Sequence, residues 1–368
     1  MPIYMDRHDL SGLTARDVAE GHRQDLKIQH RYNCRALTYW FDEKRGTAFC
    51  LIEAPDKRAV HDLHNESHGL IPNRIIEVDD RLVEAFLGRI EDPEPDGGVD
   101  AADLLVLQEP AFRFIMAVTI MRSATTSLSD IDSNPEYNRF IQEAVERHAG
   151  REVHQPGTDF TASFVSANHA VRCALDILKR IKARTTHSSS NGMQVSIGLS
   201  AGDPVTEKEK LFGEVVRMAN RLSYLAQNGR LLLTHRVLEH VGSETARAVS
   251  DNDRIKSLNP EEEQFLNRLM DVTEGVWNRE ALTVAEFSRE MGLSKSRLYR
   301  NITALTGYSS AGFIKEYRLQ KAIRLIEKRS GTIAEIAYET GFNTPSYFSK
   351  CFRKRFGISP SGYARNIA

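Results

Sequence analysis

The chain has 368 residues, 41% hydrophobic and 27% charged, which is enough for two or three domains. No apolar run approaches the roughly 18 residues of a membrane-crossing helix, and the opening MPIYMDRHDL lacks the apolar core of an export signal. The net charge of −1 hides a division: from Arg279 onward there are 16 Lys/Arg against 7 Asp/Glu (+9), and before it 33 against 43 (−10). A basic end on an acidic body suits a nucleic-acid module joined to domains that do not bind nucleic acid.

In chain order, Ile3 to Arg7 reads as a strand, and Thr14 caps a helix to about Ile28. Cys34–Phe41 and Thr47–Glu53 read as a hairpin around Asp42–Gly46. Asp56 opens a second helix to about His68, and Arg74–Val78 is a last strand. The order βαββαβ predicts an α+β, ferredoxin-like domain over about 1–85. By fold analogy such a unit pairs with a copy of itself over the open sheet face, so a homodimer is expected. Half of the twelve histidines fall here: His8, His22, His30, His61, His64 and His68. His64 and His68, four apart on a helix, can aim two imidazoles at one borderline metal ion. As exposed helix histidines, their joint replacement by alanine is expected to leave the fold intact.

The segments Met5-Asp6-Arg7-His8, Thr38-Tyr39-Trp40-Phe41-Asp42, Phe49–Pro55 and His68-Gly69-Leu70-Ile71-Pro72 resemble a family of small bacterial nickel-binding ferredoxin-like proteins. The resemblance implies a site for nickel, another divalent transition metal or a small effector, with His8, His64 and His68 as ligands. Tyr39 and Cys50 would be neighbours. Cys50 also alternates with apolar residues on a strand and reads equally as core. The four cysteines, Cys34, Cys50, Cys173 and Cys351, show no CxxC spacing, so reduced thiols in a cytoplasmic protein are expected.

Residues 86–109, acidic and rich in Pro and Gly over Glu91–Asp103, read as a linker. A second domain follows over about 110–245, with strands at Phe112–Met121, Phe160–Phe164, Met193–Ala201 and Arg230–Thr234. Helices are expected at Asn134–Ala149, Ala167–Ala183 and Gly213–Ala226. Gly150-Arg151-Glu152-Val153, Gly157–Phe164, Ala170–Leu175, Ser196–Gly202 and Gly213–Leu222 resemble the class III nucleotide cyclase domain, an α/β fold with a ferredoxin-like core. That resemblance implies two aspartates holding two Mg²⁺ ions. Here Ile120 stands at the first aspartate position and Thr158 at the second. Asp159 is one residue off, which in a strand turns it to the opposite face. Arg217 replaces the ribose-orienting Asn, and Arg221 alone keeps its type. No nucleotide turnover is expected, and an active cyclase fused to a DNA-binding domain is the alternative.

The last part, about 260–368, reads as all-α. Leu282–Gly292 is a short helix ending in glycine, and Ser294 caps a helix to Leu305 with Leu298, Ile302 and Leu305 on its inner face. A helix from about Ser310 to Arg329 follows, then Ile333–Tyr338. Thr344 or Asn343 caps a basic helix carrying Phe348, Phe352 and Phe356, closed by Gly357 and Pro360. Twice over this is a helix-turn-helix, which sets its second helix in a DNA major groove. The joining helix spans roughly 30 Å, close to one turn of duplex.

Ile333-Ala334-Glu335-Ile336-Ala337, Gly341-Phe342-Asn343, Ser346-Tyr347-Phe348, Phe352, Phe356-Gly357, Ser359-Pro360 and Tyr363 resemble the AraC/XylS family of bacterial transcription regulators. The resemblance implies double-stranded DNA as partner. It puts Ser294, Lys295, Arg297, Tyr299 and Arg300 on the first recognition helix, and Asn343, Thr344, Ser346, Tyr347 and Lys350 on the second. The expected whole is a three-part, DNA-binding transcription regulator answering to a metal or small ligand.

Overall fold

The computed structural model describes residues 1–94, 104–122, 134–154, 160–187, 193–207, 210–226, 229–280 and 282–366. These form two compact units of discontinuous chain. One contains Met1–Met116, Val145–Ala170 and Ser200–Arg217; the other contains Ala117–Ala144, Val171–Leu199 and Met218–Ala368.

The N-terminal elements are β1 (Ile3–Asp9), α1 (Ala15–Ile28), β2 (Arg35–Asp42), β3 (Thr47–Glu53), α2 (Lys57–Ser67), β4 (Arg74–Val78) and α3 (Asp80–Leu87). Local chemistry sets the boundaries. Thr14 and Asp17 form a capping box on α1, and Asp56 caps α2. The sheet runs β2-β3-β1-β4, antiparallel throughout, which is the ferredoxin-like order. Tyr4, Tyr39, Phe41, Cys50, Ile52, Val60 and Leu63 form its core. Met5, Trp40, Phe49, Leu51 and Ile76, on alternate strand positions, are buried as well. Among the described residues both faces are therefore covered within the chain, where an open face was expected to recruit a second copy.

Helix α3 has clear end signals, an Asp79 cap and Gly88 at φ +91°. The segment after it does not hang free where it is described. The backbone N–H of Asp92 donates to Leu37 O at 3.0 Å, and that of Phe41 to Glu109 O at 3.1 Å. Tyr39 OH donates to Leu105 O and accepts from the Leu107 N–H, both at 2.8 Å. Residues 104–109 thus strap the edge strand β2, where a linker was expected; residues 95–103 of that linker lie outside the described residues.

Next come β5 (Arg113–Arg122), α4 (Asn134–Arg147), β6 (Arg151–Glu152), β7 (Phe160–Phe164), α5 (Ala167–His187), β8 (Met193–Gly202), α6 (Gly213–Leu225), β9 (Leu231–Thr234), α7 (His235–Leu238), α8 (Ser243–Ser250) and β10 (Ile255–Leu258). Their sheet order is β10-β9-β8-β5-β7-β6, with β8, β9 and β10 parallel. Gly198 lets α6 lie against β8: a Cβ there would stand 2.1 Å from Ala219 O. Strand β10, beyond the expected end of this domain, extends the sheet.

The remainder is helical: α9 (Pro260–Val276), α10 (Val284–Glu290), α11 (Lys295–Thr306), α12 (Ser310–Glu327), α13 (Ile333–Glu339), α14 (Pro345–Phe356) and α15 (Pro360–Asn366). The two halves share one plan. Thr283 with Glu286 and Thr332 with Glu335 are matching capping boxes on α10 and α13. Gly292 and Gly341 then turn at φ +62° and +75°, and Ser294 and Thr344 cap α11 and α14. Leu298, Ile302 and Leu305 pack with Phe287, Met291 and Phe313. Phe348, Phe352 and Phe356 pack with Ile336, Leu319 and Tyr363.

Candidate metal centre and nucleic-acid interface

Strand β1 points Asp6 and His8 to one face, two residues apart, and β3 brings Cys50 beside them: the Cys50 N–H donates to Asp6 Oδ1 at 3.0 Å. His64 comes from α2. The four donor groups lie within 4.8 Å of one another, all buried. Asp6 and His64 are fully inaccessible and His8 is 2% exposed. His64 Nε2 lies 2.8 Å from Asp6 Oδ2. Its Nδ1 lies 3.2 Å from Asp25 Oδ2 and 3.0 Å from His68 Nε2. Burial alone would lower the His64 pKa, but the Asp6 and Asp25 carboxylates outweigh it and push it up to about 10. Burial would raise the carboxyls. Asp6, facing His8 and His64, and Asp25, hydrogen-bonded to His64 and His68, are instead held well below the usual carboxylate range. The Cys50 thiol is pushed well up, first by burial and then by Asp6 and Asp25.

His8 is the odd member. Its Nε2 lies 3.2 Å from Asp6 Oδ1, yet neither ring nitrogen meets the geometry of a hydrogen bond. His68 sits differently. Its Nδ1 accepts from the Leu70 N–H at 3.1 Å, which leaves Nε2 to carry the proton and donate to Asp25, 3.3 Å away. Of the three expected ligands, then, His8 and His64 meet in one donor group and His68 stands in another, Asp25–His64–His68. The expectation of exposed helix histidines is wrong for His64, because two carboxylates draw its ring into the interior. Asp6 and Asp25 escaped the sequence reading, although Asp6 and His8 share a strand face by spacing alone. Tyr39 is committed to the strap.

On the helical part, Ser294, Lys295, Arg297, Tyr299 and Arg300 are exposed, and so are Asn343, Thr344, Ser346, Tyr347 and Lys350. Lys295, Ser296, Tyr299 and Arg300 line an open cleft of about 550 Å³ with Ser309 and Ser310. Helix α12 fixes the second half. Arg318 donates to Trp277 O, Arg279 O and Gly341 O, each at 2.7 Å. Glu316, buried, accepts twice from Arg355 Nε of α14, at 2.8 and 2.9 Å.

In the middle domain Ile120 lies on β5 as expected, with no ligating atom; Thr158 and Asp159 lie outside the described residues. Arg221, the residue that kept its cyclase-like type, is turned onto α9. Its guanidinium donates to Asn267 Oδ1 at 2.6 Å and pairs with Asp271.

Residues 287–366 match the family described as Helix-turn-helix domain, and residues 4–78 match Nickel responsive protein SCO4226-like. Among curated proteins, Histidine kinase P4 of Formosa agariphila is 39% identical over 102 residues, 28% of this chain and 7% of that protein. HTH-type transcriptional regulator ExsA of Pseudomonas aeruginosa is 35% identical over 78 residues, 21% of this chain and 28% of ExsA. The chain thus spans less than a third of the length of these relatives. Among solved structures, SCO4226 from Streptomyces coelicolor A3(2) is 32% identical over 21% of this chain and 94% of its own, at TM-score 0.20. An adenylate/guanylate cyclase/hydrolase from Silicibacter pomeroyi is 27% identical over 35% of this chain and 78% of its own, at TM-score 0.31. The chain carries an AraC-type helix-turn-helix domain at its C-terminal end and a SCO4226-like domain at its N-terminal end.

Proposed function

We propose that the protein is a cytoplasmic transcription regulator. It binds double-stranded DNA through α11 and α14 and takes a metal ion in its first domain as input. The observation that carries this is the repeated helix-turn-helix plan, with Lys295, Arg297, Tyr299, Arg300, Ser346, Tyr347 and Lys350 exposed on α11 and α14 and Ser294, Asn343 and Thr344 exposed at their N-terminal ends. Ser294, Lys295, Arg297, Tyr299 and Arg300 face one major groove, and Asn343, Thr344, Ser346, Tyr347 and Lys350 the next. Two copies acting together would read paired sites, so ligand-dependent pairing is a route from the input to promoter occupancy.

The first domain fits an ion on its own chemistry. His8 is buried with Nδ1 unpartnered and Nε2 only in a 3.2 Å contact with Asp6, and a cation would take up the ring's lone pair. Nickel is one candidate. The ion supplies charge and a fixed geometry, and the chain's own residues hold it. The cyclase-like domain is proposed to lack turnover, since Ile120 offers no ligand and Arg221 is occupied by α9.

Binding of the purified full chain to its own promoter region tests the DNA-binding reading. Affinity should fall steeply with salt as phosphate contacts release counterions. The absence of any salt-dependent complex, with or without added metal, overturns it.

A further inference from the structure

The proposed metal input leaves its seat undefined. The geometry points to a mixed four-donor seat made of Asp6, His8, Cys50 and His64 for one borderline divalent ion of the zinc, cobalt(II) or nickel(II) class, with Asp25 and His68 outside it as positioning residues. This rests on the metal-input reading and names its ligands.

Four observations converge. The donor atoms already lie within 4.8 Å of one another, and a tetrahedral ion with bonds of about 2.0–2.3 Å needs separations of roughly 3.3–3.8 Å. The widest pairs would close by about 1 Å, and the Asp6–His64 contact, now 2.8 Å, would open by roughly half as much. His8 is buried with Nδ1 unpartnered and Nε2 only in a 3.2 Å contact with Asp6, and its ring centroid lies 4.9 Å from that of His64. His64 turns Nδ1 to Asp25 and Nε2 to the Asp6 side. A carboxylate on the far nitrogen is what orients a ligating histidine. His68, with Nδ1 taken by the Leu70 N–H, has only its N–H left for Asp25, so it steadies the carboxylate and does not bind the ion.

The donor set names the ion class. Two imidazoles, a thiolate and one carboxylate suit borderline metals. They do not suit magnesium or calcium, which need oxygen ligands. Cys50 would bind as thiolate and His64 through a neutral ring nitrogen, so the ion displaces to solvent whatever protons those atoms carry.

Cobalt(II) added to the full chain under reducing, oxygen-free conditions is the test. One equivalent should saturate the protein, giving intense visible ligand-field bands and a near-ultraviolet sulfur-to-cobalt band. Stoichiometric zinc should erase both. Cys50→Ser, a near-isosteric change, should remove the near-ultraviolet band. His68→Ala should keep that band and weaken affinity about 10–100-fold, as loss of an outer partner does. A band that survives Cys50→Ser overturns the seat, as does cobalt bound at one equivalent with no sulfur band, or the loss of all binding in His68→Ala. In each of these cases metal-dependent regulation still stands if DNA affinity responds to metal. A confirmed seat in a protein whose DNA affinity ignores the ion separates the other way, keeping the seat and removing the regulation.

Discussion

His64 is where the chemistry of the first domain concentrates. Its ring lies buried between Asp6 and Asp25, so removing it leaves two carboxylates in the interior with less compensation. His64→Ala should cost roughly 3–5 kcal/mol in the metal-free protein, the usual consequence of breaking a buried pair. Chemical denaturation measures it; a loss below about 1 kcal/mol would place the ring at the surface. The pH dependence has a definite sign. The folded His64 pKa of about 10 lies above the ordinary value of about 6.5. Its contribution is therefore complete below about 6.5 and lost as pH rises toward 10. Asp6 and Asp25 are depressed, so theirs is complete above about 4 and lost on acidification. Metal-free protein should melt highest between about pH 4 and 6.5 and lower at pH 9, and His64→Gln should flatten the fall on the alkaline side. The histidines of this site were legible in the sequence because histidine is scarce. Asp6 and Asp25 were not, because among 50 acidic residues a carboxylate is presumed solvated, and only the fold puts these two opposite His64.

At the scale of elements, the helix-turn-helix halves were legible almost to their ends, because their boundaries are written in local chemistry. Caps at Ser294 and Thr344 and left-handed glycines at 292, 307, 341 and 357 need no distant partner. Helices α3 and α9 carry equally good caps, Asp79 and Asn259, but lie at the end of the expected first domain and the start of the expected last one, where no helix was expected. Strand β10 is only four residues long, and its pairing with β9 is a tertiary fact. Two substitutions separate contact from architecture. Arg297→Ala removes an exposed side chain on α11 and should weaken DNA binding by about 1–3 kcal/mol if it meets a guanine edge, with stability unchanged. Gly341→Ala forces alanine to φ +75° and sets a Cβ 2.9 Å from the Arg318 guanidinium. It should cost about 1–2 kcal/mol of stability and weaken DNA binding through the displaced α14. Melting curves beside binding isotherms of both variants check this; equal melting temperatures for Gly341→Ala and the parent would refute the turn's role.

For the whole molecule, the charge division between acidic body and basic end told of a DNA-binding module before any element was placed. The discontinuous compact units were not legible, because they depend on contacts between segments far apart in sequence. The middle domain bears on whether this is also an enzyme. With Ile120 on β5 and Arg221 held by Asn267 and Asp271, the full chain given ATP or GTP with Mg²⁺ or Mn²⁺ should form no cyclic nucleotide above the blank. Turnover that disappears with Arg221→Ala would mean that the arginine leaves α9 to work. The sensor and the reader can be joined by one thermodynamic measurement. If metal changes DNA affinity by some factor, DNA must change metal affinity by the same factor, because the two routes to the ternary complex share their end states. Couplings of this kind typically lie between about 5- and 150-fold. Titrating metal into the protein with and without saturating promoter DNA, and DNA with and without metal, should give matching ratios. A factor of one in both titrations means that the domains share a chain without sharing a signal; unequal factors mean that the metal acts on the DNA or on a second site outside the first domain.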